Sequence, residues 1–313
     1  MQGLELARAY YRAHLAPLLA GELSALAPYL AVGLLGAGSE CLGYDDALSA
    51  DHDFGPALCL LLPGEEVVDR HAAFRLERAY AALPKEFMGY CRPALSPVGG
   101  GRHGVLRTAE FFLSHTGTPD GRLSYDGWLS LPEQALLEAT NGEIFTDPYG
   151  EVSAIRRRLA YLPEDVRLLR LAGHILLMGQ AGQYNYPRAI ARGELAAAQM
   201  AAIAFAESAV SAVFLLNFTY RPYYKWCHRA MRGLARLSAL SEPLAYLISS
   251  GNGEGERARK SAVIAEVTAR IVTTLREDGL SSYTGDTAEG HAYAVRERIG
   301  DPDLRNRHIL AGV

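Results

Sequence analysis

At 313 residues, 49% apolar and 21% charged, the chain is long enough for two domains and has the composition of a globular protein. A formal net charge of −4 leaves no general basic footprint, which excludes a nucleic-acid polymer as partner while keeping small phosphorylated ligands open. The scattered cysteines Cys41, Cys59, Cys91 and Cys227 form no Cys-x-x-Cys pair and read as free thiols of a reduced, cytoplasmic protein, not as a disulfide framework or zinc site.

The spacing of Leu, Ala and Tyr from Leu4 to Leu26 predicts one helix, broken near Pro17, and its charged residues rule against a secretion signal. Leu30 to Leu35 is an almost unbroken apolar run, the pattern of a strand buried on both faces. Gly36 and Gly38 then let the backbone turn tightly and lie close to a ligand. Ser39 can cap a short helix from about Glu40, or offer its hydroxyl and amide to a phosphate. A loop from Gly43 to Ala50 carries Asp45 and Asp46. Asp51 and Asp53 come next, just before a second apolar strand, Ala57 to Leu62, which Pro63-Gly64 ends. In strand geometry residues two apart project to one side, so these two carboxylates would meet beside a phosphate-sized niche. Such a pair suits a divalent hard cation, Mg²⁺ above all when phosphates are present. The competing reading makes both acids ordinary turn residues.

The order strand, Gly38-Ser39, spacer, Asp51-x-Asp53, strand resembles the DNA polymerase β-like nucleotidyltransferase superfamily. The wording Gly38-Ser39-Glu40-Cys41-Leu42-Gly43-Tyr44-Asp45-Asp46, followed by Ser49 to Pro56, is similar to a bacterial branch that carries a domain of unknown function and lies near the aminoglycoside nucleotidyltransferases. The resemblance implies that Gly38 and Ser39 hold the β- and γ-phosphates and that Asp51 and Asp53 bind Mg²⁺. The superfamily's third carboxylate is expected on a neighbouring strand. Here that strand reads Val105-Leu106-Arg107-Thr108, without an acid, which leaves Glu110, Glu143 or Asp147 as substitutes.

Between these landmarks, Glu65 to Leu83 has helical periodicity, and Gly99-Gly100-Gly101 is a flexible turn without the strand–glycine–helix context of a phosphate cradle. Gly104 to Phe112 suits a strand running into a helix. Pro132 followed by Glu133 and Gln134 reads as a helix start with acid in its first turn. Glu143 to Asp147 reads as a last edge strand, and the turn Asp147-Pro148-Tyr149-Gly150 marks a domain boundary.

From Ser153 onwards the chain reads as helical. The Arg156-Arg157-Arg158 run is a solvated face, with one arginine free to reach the first domain. A helix from Pro163 to Met178 leads to a link, Gly179 to Pro187, after which Arg188 and Arg192 share a helix face. Glu194 to Leu216 is an Ala-rich helix of the kind that sits at the centre of a bundle, too charged at Glu207 for a membrane span. A lone acid on such a helix needs a partner or a purpose. In the aminoglycoside enzymes a carboxylate of the helical domain acts as base on the acceptor hydroxyl, a role open to Glu207 beside that of a structural ion pair. Related enzymes also send a lysine of that domain to the triphosphate, and in Tyr220 to Trp226 the similar wording makes Lys225 the candidate. Ser249 to Gly255 is a loop, Arg257 to Asp278 a last helix, and the tail histidines His291 and His308 read as solvated polar residues.

The expectation is therefore an α+β protein: a nucleotidyltransferase-type mixed sheet with flanking helices over 1–150, and a helical bundle over 151–313, with the active site in the cleft between them. Its expected reaction moves a nucleoside monophosphate from a Mg²⁺-bound nucleoside triphosphate, ATP first, to a hydroxyl of a small acceptor, releasing pyrophosphate. The alternative is a degenerate nucleotide-binding or toxin–antitoxin-like interaction protein, which the missing acid near Leu106 favours.

Overall fold

The computed structural model describes residues 1–49, 54–92 and 103–313. The chain is α+β, with a mixed four-stranded sheet and a helical C-terminal region. It divides into two compact units, Met1–Leu123 with Ala135–Ala160, and Ser124–Gln134 with Tyr161–Val313.

In the first unit α1 (Gly3–Tyr10) runs through a π turn, Tyr11–Leu15, into α2 (Ala16–Ala20). The helix thus passes Pro17 instead of breaking there. Proline lacks an N–H and crowds the carbonyl four residues back, and a widened turn just ahead of it relieves both problems. β1 (Ala31–Leu34) and β2 (Cys59–Leu62) are antiparallel and buried at every residue, as their unalternating apolar runs require. Along them Leu30, Val32 and Leu34, with Leu58, Leu60 and Leu62, join one core cluster with Tyr10 and Leu15. Strand periodicity puts these alternate residues on one face.

α3 (Arg70–Ala82) starts where the Asp69 carboxylate accepts the Ala72 N–H at 2.8 Å, which shortens the helix expected from Glu65. It adds Leu76 and Tyr80 to the same cluster. A small ribbon, β3 (Glu86–Phe87) with β4 (Tyr90–Cys91), precedes β5 (Gly104–Arg107), which pairs parallel to β2. A parallel neighbour needs a crossover, and α3 lies on it. α4 (Thr108–Thr116) begins at once, as the reading of a strand running into a helix expects, and Glu110 lies in the first turn of that helix. α5 (Tyr125–Ser130) belongs to the second unit; α6 (Glu133–Thr140) then leads to β6 (Glu143–Thr146), which pairs antiparallel to β1 and completes the order β5-β2-β1-β6. α7 (Glu151–Arg158) closes this unit. Its arginine run is not simply solvated: Arg156 is half-buried, donating to the Thr140 and Asn141 carbonyls, and Arg158 donates to the Asp120 carbonyl.

In the second unit α8 (Glu164–Met178) continues through a π turn, Gly179–Asn185, into α9 (Tyr186–Ala191), with Pro187 in the first turn of α9. The expected link is therefore helical, and the device that carries the chain past Pro17 recurs here. α10 (Leu195–Leu216) packs against α8, α9 and, further along, α12 (Ser241–Ser249) and α13 (Glu254–Glu277). Among the described residues it is the one helix long and apolar enough to cross a membrane, but 67% of its most apolar window is buried within the fold. α11 (Tyr224–Met231) precedes α12, and α14 (Ala288–Arg296) and α15 (Pro302–Arg305) end the chain. α14 packs on α8. That contact overturns the expectation of a solvated tail histidine: His291 is fully buried, Nε2 donating to the Gly285 carbonyl at 3.0 Å and Nδ1 accepting from Ser281 Oγ at 2.7 Å.

Candidate functional site

The Gly-Ser segment lies directly after β1. Gly36 and Gly38 have φ of +98° and +135°, conformations an L side chain resists, and Ser39 returns to helical angles ahead of the one-turn helix Glu40–Leu42. The turn is clamped from a distance in sequence. Asn141 Oδ1 accepts the Gly36 N–H at 3.1 Å, its Nδ2 donates to the Gly36 carbonyl at 2.8 Å, and the Gly142 N–H donates to the Cys41 carbonyl at 3.0 Å. Among the described residues, the N–H groups of Gly38 and Ser39 and the Ser39 hydroxyl donate to no protein acceptor. The Glu40 carboxylate lies across Gly38, in the space a Cβ there would fill.

Asp51 and Asp53 lie outside the described residues, as does Gly99-Gly100-Gly101. The acids of the intervening insert are used structurally. Asp45 Oδ2 accepts the Gly3 N–H at 2.8 Å at the start of α1, and Asp46 Oδ1 accepts the Leu48 and Ser49 N–H groups. Of the three substitute acids, Glu143 is paired with Arg8. Asp147 caps α7 by accepting the Gly150 and Ser153 N–H groups at 3.0 and 2.7 Å. Glu110 is exposed on α4. Among the described residues no cluster of three metal-ligating side chains forms. The donor chemistry of Asp51 and Asp53 still suits Mg²⁺, as two hard anionic oxygens, with Glu143 and Asp147 already committed elsewhere.

The second unit holds its own cavity, about 660 Å³, within the size range of small-molecule sites. Arg170 and His174 enter it from α8, four residues apart and so on one helix face. Arg170 is 5% exposed, and its Nη2 donates to the carbonyls of Trp128, Leu129 and Leu131 at 2.8, 3.2 and 2.6 Å. Glu133, 8% exposed, accepts the Arg221 backbone N–H at 2.9 Å and lies 3.7 Å from Arg170 Nη1. Burial pushes the Glu133 carboxyl up against the pull of that N–H and of both guanidiniums, and burial likewise lowers Arg170. Burial, with Arg221 and Arg170 close by, holds His174 down at about 3.

Arg221 stands between this cavity and a smaller one of about 370 Å³. It donates to Ser211 Oγ at 2.8 Å, to Cys227 Sγ at 3.3 Å and to Glu207 Oε2 at 3.4 Å. Glu207 therefore has its partner: it is exposed at the rim of the smaller cavity and ion-paired to Arg221. Lys225 lies on the exposed side of α11, its Nζ 5.2 Å from the Trp226 ring centre, and lines neither cavity. The sequence reading passed over Arg170 and His174. Their signal was two polar residues one turn apart inside the otherwise apolar run from Leu168 to Leu176.

A family model described as a domain of unknown function (DUF4037) matches residues 128–227, a span that contains Glu133, Arg170, His174, Glu207, Arg221 and Lys225. No curated protein and no solved structure matches the chain.

Proposed function

We propose that this chain is a nucleotidyltransferase, moving a nucleoside monophosphate from a nucleoside triphosphate, ATP first, to a hydroxyl of a small acceptor, with release of pyrophosphate. The observation that carries the reading is the clamped turn after β1, where the Gly38 and Ser39 N–H groups and the Ser39 hydroxyl have no acceptor among the described residues, in a chain that continues through Asp51-x-Asp53 into β2. Left-handed turns with free N–H groups are concave anion sites, and phosphate oxygens are their usual occupants. In this reading those amides hold the triphosphate in place, and the acceptor oxygen attacks the α-phosphorus opposite the leaving pyrophosphate. Asp51 and Asp53 would hold Mg²⁺, which supplies positive charge against the phosphates when bound. Glu207, ion-paired to Arg221, would take the acceptor proton, and Lys225 would contact phosphate.

The absence of an acid on β5 favours a second reading, a protein that binds a nucleotide without turning it over. Calorimetric titration with a non-hydrolysable ATP analogue, with and without Mg²⁺, separates the two. Magnesium-dependent binding that disappears in the Asp51→Asn/Asp53→Asn double variant supports the transferase. Binding indifferent to both supports the binder, and no binding of ATP, GTP or CTP analogues removes both. Lys225 is exposed, so Lys225→Ala is expected to weaken the analogue roughly tenfold while leaving stability within about 0.5 kcal/mol; an unchanged affinity withdraws its role. Once an acceptor is found, Glu207→Gln is expected to lower turnover more than affinity.

A further inference from the structure

Arg170 and His174 both line the 660 Å³ cavity, and each holds one buried nitrogen, Nε and Nδ1, with no partner among the described residues. Folded proteins rarely leave such atoms unpaired, and where protein supplies no partner, water or a ligand does. Arg170 spends Nη2 on three backbone carbonyls and turns Nη1 towards Glu133, which leaves Nε, a group that can only donate. Ser211 Oγ accepts from Arg221 and keeps its own proton to give. A neutral His174 ring adds one more donor in either tautomer. The one carboxylate among the lining side chains, Glu133, already accepts the Arg221 N–H. The wall thus offers several donors, with Arg170 facing Glu133 and Arg221 ion-paired to Glu207 beyond the wall. An oxyanion small enough for the cavity would accept from these donors.

We propose that this cavity binds a small molecule through an oxyanion, a phosphate or carboxylate group, held by Arg170, His174 and Ser211. The site belongs to the second unit alone and stands whether or not the chain transfers nucleotides.

The test is calorimetric titration of the full chain, in buffer containing a chelator, with inorganic phosphate and separately with succinate. Wild type is compared with His174→Phe, Ser211→Val and Gly38→Val. Binding of at least one anion is expected, weakened tenfold or more by His174→Phe and by Ser211→Val at unchanged circular dichroism, and untouched by Gly38→Val. A preference for phosphate or for succinate identifies the oxyanion. Should His174→Phe fail to fold, Ser211→Val and the ¹⁵N shift of the wild-type His174 ring on adding the anion decide. No binding of either anion overturns the proposal. So does an unmoved His174 resonance, or binding lost in Gly38→Val and retained in the cavity variants, which would place the anion on the first unit's turn.

Discussion

The side-chain amide of Asn141 pairs with both backbone groups of Gly36, accepting its N–H at 3.1 Å and donating to its carbonyl at 2.8 Å. It acts as one rung of a sheet at the point where β1 gives way to the left-handed turn. Arg156 holds the Thr140 and Asn141 carbonyls behind it. Asn141→Ala removes two hydrogen bonds and strands both Gly36 groups, a cost of about 1–3 kcal/mol. The expected result is a lower urea midpoint and faster amide exchange at residues 36–39 than at α8. Exchange that rises equally across the chain would show that Asn141 does not act on the turn.

The Glu40 carboxylate lies across Gly38, where an incoming phosphate would meet like charge. Glu40→Gln is therefore expected to tighten binding of an ATP analogue in metal-free buffer by several-fold, with a smaller gain when Mg²⁺ is present. A weaker complex in the variant would make Glu40 a contributor to binding instead of an obstacle.

His174 is held at about 3 in the folded chain, chiefly by burial and then by Arg221 and Arg170. Its unfolded value is about 6.5, so only the unfolded chain gains this proton between those limits. The contribution to stability is complete above pH 6.5 and is lost as the pH falls, by up to about 1.4 kcal/mol per pH unit. His291, also lowered by burial, acts in the same direction. The urea midpoint should fall from pH 7 to pH 5, and fall less steeply in His174→Gln. Parallel slopes for the two proteins would contradict the assignment.

Glu133 is the buried counter-charge to Arg170 and the acceptor for the Arg221 N–H. Glu133→Leu leaves Arg170 uncompensated and is expected to cost about 3–5 kcal/mol. Glu133→Gln keeps an oxygen for the Arg221 N–H and should cost clearly less. Equal losses, read from denaturant midpoints, would mean that only volume matters at this position.

The residues by themselves determined the local elements. The apolar runs ending at Leu35 and Leu62 could bury both faces only as central strands, and the paired glycines after Leu35 had to turn. The long, Ala-rich apolar run from Glu194 to Leu216 had to form a core helix. These are decided within a window of a few residues by sterics and the 2.0 and 3.6 residue repeats. Proline read the same way misled at Pro17 and Pro187, because a π turn is selected by packing along the whole helix. The tertiary structure alone decided which polar groups meet. Asn141 reaches Gly36 across 105 positions, and Glu133 reaches Arg221 across 88. Such pairings carry no local signature, since any buried donor accepts whichever partner the fold delivers. Tertiary contact also set the duties of the acids: Glu143 and Asp147 became an ion pair and a helix cap, and Glu207 became the exposed partner of Arg221.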